Sequence, residues 1–177
     1  MSFTRAPTLE TERLVLSAHR REDFEEIARN WADPIVTRFV GGRPQTREET
    51  WAKVLRLMGH WPAVGYGYWV LREKGTGRFV GEAGFGDFKR EIDPPFDGAP
   101  EAGWVLAPDF HGKGYGTEAV RAILAWGDEH IGRVRNVCLI DNENVASMAL
   151  AARVGFQPYA KTDYKGAPVV LLERLPA

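Results

Sequence analysis

Gly112, Gly114 and Gly116 alternate with Lys113 and Tyr115 inside the run Trp104-Val-Leu-Ala-Pro-Asp-Phe-His-Gly-Lys-Gly-Tyr-Gly-Thr-Glu-Ala-Val. Left to right, the run reads as an apolar strand, a turn marked by Pro108, a glycine-dense loop and then a helix. Glycine enters left-handed backbone conformations at little cost and leaves no side chain in the way. Successive amide N–H groups can therefore converge on one point at the helix start, where the helix dipole also favours negative charge. The chemistry this suits is the grip of main-chain donors on phosphate or pyrophosphate.

Two phosphate-binding designs fit this run poorly. A P-loop needs Ser or Thr after its lysine, and Lys113 is followed by Gly114. A dinucleotide fingerprint fares better, since Gly114, Gly116 and Ala119 match G-x-G-x-x-A and Asp141 could stand as the ribose-binding acid. That fold turns straight from strand into glycines, whereas Ala107 to Gly112 intervene here after Leu106. Asn142 to Ala177 is also too short for the βα units a doubly wound sheet still requires. An NAD-binding oxidoreductase therefore stands only as an alternative.

His111-x-x-Gly114-x-Gly116, after Trp104-Val-Leu-Ala-Pro, resembles the acetyl-CoA loop of the GCN5-related N-acetyltransferases (GNAT), usually written [Q/R]-x-x-G-x-[G/A]. Thr11-Glu-Arg-Leu-Val-Leu16 is similar to the opening strand of the RimJ/RimL-like branch of that family. Asn144-x-x-Ser147 with Arg153-Val-Gly-Phe156 resembles that branch's N-x-x-S…[K/R]-x-G-F segment. The likeness spans nearly the whole chain. His111 departs from it by standing where Gln or Arg is usual.

The resemblance implies acetyl transfer from acetyl-CoA to a primary amine by direct attack in a ternary complex. His19, His60 and His130 show no metal spacing with cysteine or carboxylates, so no metal is expected. The cofactor would be held by Trp104, Val105, Leu106, His111, Gly112, Lys113, Gly114, Tyr115, Gly116, Thr117, Asn144 and Ser147. Its thioester oxygen, which gains charge in the transition state, would meet a backbone N–H of the splayed strand, taken as Val105. The amine must be neutral to attack. Deprotonating a lysine-like amine near pH 7 costs roughly 4–5 kcal/mol, and an α-amine only about 1 kcal/mol. Glu101 is the first candidate base, directly or through water, and Glu82 on the preceding strand the second. Glu101 could instead make a structural hydrogen bond or ion pair. Ser147 would aid departure of the thiolate, and Asn144 would bind the pantetheine arm while capping a helix. The same resemblance leaves a non-catalytic acyl-CoA-binding or regulatory module as the main alternative.

These residues need a scaffold. Arg13 to Ser17 alternates like a strand. Asp23 to Ala32 is an amphipathic helix with Phe24, Ile27, Ala28 and Trp31 on one face, and Ile35 to Val40 a short helical turn. Thr46-x-x-Glu49 is a capping box opening a helix from Arg47 to His60, with Trp51, Val54, Leu55 and Met58 on its apolar stripe. Tyr66 to Arg72, the turn Lys74-Gly75-Thr76-Gly77 and Phe79 to Lys89 form a hairpin. A loop from Arg90 to Pro100 leads into Ala102 to Leu106; its acids Glu91, Asp93 and Asp97 could draw in a cation or simply be solvated. Tyr115 to Ile131 is a helix with Val120, Ile123, Leu124, Gly127 and Ile131 inward. Val134 to Ile140 is a buried strand, and Val145 to Val154 a short helix capped by Asn142 or Asn144 and ended by Gly155. Gln157 to Thr162 and Ala167 to Arg174 close the chain as a hairpin. The fold class is α+β: a mixed, mostly antiparallel central sheet of six to seven strands flanked by helices. The resemblance adds a splayed strand feeding the pyrophosphate-binding loop.

Residues 1–177 read as a single domain, a length that buries roughly two-thirds of the unfolded surface. A net charge of −1 gives no electrostatic case for nucleic acid or an anionic membrane. Cys138 is the sole cysteine and lies in an apolar run, which excludes an intrachain disulfide and suits a reducing, cytoplasmic setting. The opening residues lack an apolar signal core, and no run is long enough to span a membrane. The partner expected is a small-molecule or peptide amine acceptor. Its identity is open, as is a homodimer.

Overall fold

A computed structural model describes residues 3–176. One eight-stranded sheet carries the site: β1 (Leu9–Glu10), β2 (Leu14–Ser17), β3 (Tyr68–Glu73), β4 (Phe79–Gly86), β5 (Glu101–Leu106), β6 (Asn136–Asp141), β7 (Gln157–Tyr164) and β8 (Ala167–Arg174). The spatial order is β1-β2-β3-β4-β5-β6-β8-β7. Every pairing is antiparallel except β5 with β6. That mixture is α+β and is not the doubly wound parallel sheet that dinucleotide binding requires. The strand beyond the expected seven is β1. Its two residues are too short to show alternation, and it forms by folding back on β2, Leu9 opposite Leu16.

Five helices cover the sheet: α1 (Phe24–Trp31), α2 (Pro34–Thr37), α3 (Arg47–Val64), α4 (Tyr115–His130) and α5 (Val145–Arg153). The capping box forms as expected, with Thr46 Oγ1 accepting from the Glu49 amide and Glu49 accepting from the Thr46 amide. Helix α3 outruns its expected end at His60. Pro62 lies in its exposed last turn, where it removes a single backbone bond, and Gly65 at φ +84° ends it. Its buried face also differs from the expected stripe. Thr50, Val54, Leu57 and Trp61 point inward, while Leu55 and Met58 are exposed. Apolar residues occur on two adjoining faces, so spacing alone does not identify the one the sheet selects.

The main core lies between the sheet and α4. Ala119, Val120, Ile123 and Leu124 pack there with Leu16, Trp69, Leu71, Ala83 and Phe85. Gly127 lets α4 close on the sheet, because a β-carbon there would stand 2.8 Å from the Phe85 ring. On the opposite face α1 and α3 bury Ile27, Trp31 and Val54 against Val70 and Phe79. Trp31, Trp61 and Trp69 are thus core residues, and Trp51 packs half-buried on Phe24. Cys138 is buried, and that burial pushes its thiol up, away from thiolate reactivity. No helix among the described residues is long and apolar enough to cross a membrane.

Candidate active site

The strands β5 and β6 touch at one end only. Glu101 pairs with Val137, after which β5 diverges and leaves a wedge open between it and β6. The phase of the β4–β5 ladder decides which amides face that wedge. The Ala107 N–H donates to Val80 O at 2.8 Å, and hydrogen-bonded pairs recur at every second residue. Val105, opposite Glu82, therefore directs its N–H into β4. The free donors at the wedge belong to Trp104 and Leu106. The Val105 amide, expected from the sequence to face the wedge, thus points into β4, and its neighbours on the same strand face the wedge instead.

Past β5, a single 3₁₀ turn (Pro108–Phe110) carries the chain into the glycine loop. Gly112 and Gly114 hold φ of +70° and +82°, where a β-carbon would be strained. Gly116 lies in the first turn of α4, and a β-carbon on it would come within 2.7 Å of Leu150. Among the described residues, the amides from Gly112 to Thr117 make no well-aligned hydrogen bond to a protein acceptor; the first such bond is Glu118 N–H to Gly114 O. A run of main-chain donors thus stands unclaimed at a helix start beside the wedge. It borders a groove of about 910 Å³ lined by Arg13, Arg121 and Arg153 and also by Glu10, Glu12 and Glu118. The cradle fits a pyrophosphate.

The side chains of the loop look elsewhere. His111 Nε2–H donates to the Leu106 carbonyl at 2.9 Å, tying the loop to the end of β5. A glutamine or arginine N–H could serve the same carbonyl, so the departure at this position keeps the donor. Lys113 Nζ caps Asp109 O at 2.7 Å. Tyr115 is buried, and its hydroxyl donates to Glu73. From the β1–β2 turn, Arg13 clamps the loop. Its guanidinium bonds Lys113 O at 2.9 Å and Glu118 at 2.7 Å, and lies 4.2 Å from the Tyr115 ring. Arg13 lies in the Thr11-to-Leu16 motif, but that motif gives it no partner; Glu118 carries no motif, although an acid in a first helical turn is a readable signal.

On α5, Asn144 Oδ1 accepts the Ser147 amide at 3.1 Å. This leaves its Nδ2 donors for a ligand. The Ser147 hydroxyl accepts the Trp104 indole N–H at 3.3 Å. Loop, wedge, Asn144 and Ser147 are therefore one locus.

The two candidate bases share the other face of the sheet with Tyr68 and Val105, as the register shows. Glu101 is buried and held by Arg90, whose Nε and Nη2 reach its oxygens at 2.5 and 2.6 Å. Burial raises this carboxyl above the usual range, with the Arg90 guanidinium opposing the rise. Glu82 is fully enclosed, accepting from His19 Nε2 at 2.7 Å and Trp31 Nε1 at 2.8 Å. Burial alone would raise it, but the His19 bond leads the favourable contacts that hold it below the ordinary value. Beside this pair, Lys53 Nζ sits 3.0 Å from the Trp31 ring centre, and burial lowers its ammonium to about 7. Arg90, His19 and Lys53 carry no motif; their partners lie 11, 63 and, through Trp31, 22 residues away. No group of three or more His, Cys, Asp or Glu among the described residues could hold a metal ion.

A family model described as "Acetyltransferase (GNAT) domain" matches residues 13–157. An uncharacterised N-acetyltransferase, p20 of Bacillus licheniformis, is 27% identical over 151 residues, 85% of this chain and 82% of its own. A solved GNAT-family acetyltransferase from Bordetella pertussis superposes with a TM-score of 0.84 at 35% identity, covering 96% of this chain and 99% of that one. The fold is also shared by RimL, a ribosomal L7/L12 α-N-protein acetyltransferase solved with coenzyme A. That match has a TM-score of 0.77 at 17% identity and covers 96% and 98% of the two chains.

Proposed function

The chain belongs to the GNAT acetyltransferase family, and we propose that it moves an acetyl group from acetyl-CoA to a primary amine by direct attack in a ternary complex. The observation that carries this reading is the unclaimed run of amides from Gly112 to Thr117, set beside a wedge between two strands. Acetyl-CoA would supply an activated thioester and a thiolate leaving group. The amides hold the pyrophosphate, helped by the α4 dipole. Asn144 Nδ2 hydrogen-bonds the pantetheine arm. The N–H groups of Trp104 and Leu106 steady the charge that develops on the thioester oxygen, a donor of this kind being worth about 3–4 kcal/mol.

Glu101 takes the proton of the amine, directly or through one water. Its raised carboxyl brings the base closer to neutral operating pH. Ser147 Oγ accepts from Trp104, which leaves its O–H to hydrogen-bond the departing sulfur. The tie between Glu101 and Arg90 favours one other reading, a coenzyme-A-binding module without turnover. Incubation with acetyl-CoA and a mixed amine panel separates the two. Free thiol together with an acetylated amine by mass spectrometry supports the transferase; binding of coenzyme A without thiol release supports the module.

A further inference from the structure

We infer that the acceptor amine carries a carboxylate, gripped by the unpaired guanidinium of Arg56 beside Phe88. This rests on the transferase reading and names the substrate class for that same site.

The acceptor face is charged in a way its internal pairs do not neutralise. Glu82 spends its oxygens on His19 and Trp31, and Glu101 spends its own on Arg90. Arg90 turns a further N–H to the Tyr164 hydroxyl at 3.2 Å. Asp87 pairs with Lys89. Two cations of α3 remain. Lys53 and Arg56, three residues apart, lie on one flank of the helix with His60, which accepts or donates at the Asp87 backbone at 3.3 Å. Among the described residues neither Lys53 nor Arg56 has a carboxylate within ion-pair reach or a side-chain hydrogen bond.

The place of Arg56 matters as much as its lack of a partner. Its guanidinium lies 5.0 Å from the Phe88 ring centre, and that of Arg90 lies 5.1 Å from the same ring. Phe88 is in turn 6.2 Å from the ring of Tyr68. The Tyr68 hydroxyl lies over Gly103 on β5, 2.1 Å from where a β-carbon would stand. An unfilled guanidinium fork is thus held on an aromatic ring next to the Arg90–Glu101 pair. A fork of this shape matches a carboxylate bidentately. An ammonium arriving alone would meet the uncompensated positive charge of Arg56. A carboxylate on the same molecule removes that cost, whereas a polyamine increases it.

The carboxylate could belong to a free amino acid or to an acidic peptide with a free amino end, and the test includes both. With saturating acetyl-CoA, thiol release is followed for matched acceptors: γ-aminobutyrate against butylamine, an acidic tripeptide against its fully amidated counterpart, and spermidine. The expected result is a preference of about tenfold or more in kcat/KM for the carboxylate member of at least one pair. Arg56→Gln closes that gap through KM, and Arg56→Lys restores part of it. The pair that responds identifies the source. Equal use of both members, a preference for spermidine, or a gap that survives Arg56→Gln overturns the inference while leaving the transferase reading intact. The comparison of wild-type acceptors stands even if a variant fails to fold. No thiol release from any amine while coenzyme A still binds is the failure of the transferase reading, and removes this inference with it.

Discussion

Trp104 on β5 donates its indole N–H to Ser147 on α5 at 3.3 Å, bridging the side of the wedge where the two strands have parted. A serine that merely filled the first turn of α5 would have no reason to meet the splayed strand. On the proposed reading, Ser147 stands here as hydrogen-bond donor to the leaving sulfur. Ser147→Ala is expected to lower kcat about a hundredfold with a smaller change in KM for acetyl-CoA. Steady-state thiol release checks it, and an unchanged kcat would reduce Ser147 to a partner of Trp104.

The Arg90–Glu101 pair carries a stability prediction. Arg90→Gln leaves a buried carboxylate without its counter-charge, a change that costs about 3–5 kcal/mol. The double variant Arg90→Gln/Glu101→Gln should regain most of that loss, because the carboxylate goes with its partner. Urea denaturation of the four members of the cycle measures it.

Glu101→Gln should also reduce kcat more at neutral than at high pH, where the amine is already deprotonated. A loss of equal size at every pH would assign Glu101 to structure alone.

Lys53 predicts a pH-dependent stability of definite sign. Burial lowers its folded value to about 7, against about 10.4 for the unfolded chain. Between those values the unfolded state binds more protons, so this residue makes stability rise with pH across that window. Below about 7 both states are protonated, and the penalty is at its fullest. Lys53→Met should therefore raise Tm at pH 6, with the gain shrinking towards pH 10. A gain independent of pH would show that the ammonium is not desolvated.

The glycines test the cradle. Gly114→Trp puts a bulky side chain on a left-handed residue at φ +82°, where even a β-carbon meets the Arg13 guanidinium at 3.3 Å. Coenzyme A binding, read by calorimetry, should disappear. Gly116→Val would drive into Leu150 and weaken binding by displacing the first turn of α4. Unchanged affinity in both would remove the loop from the site.

Much of this architecture was readable in the chain because its signals are local. The Thr46–Glu49 capping box, Gly114 before α4, Asn144 at the start of α5 and Gly155 after it all act within a few residues, and each took the place its chemistry suggested. What escaped is set by distance. The phase of the β4–β5 ladder, which turns the Val105 amide away from the wedge, depends on pairing with Val80 and Glu82. The clamp of Arg13 on Glu118 joins residues 105 apart. Arg56 carries no motif, and its meaning emerges only once every neighbouring carboxylate has found another partner.

The account stands most directly on one experiment, a crystal structure of the protein with coenzyme A. The expected result is pyrophosphate oxygens about 2.7–3.2 Å from amides between Gly112 and Thr117, with the pantetheine arm in the wedge between β5 and β6. A pyrophosphate bound elsewhere, with those amides facing only solvent, would contradict it.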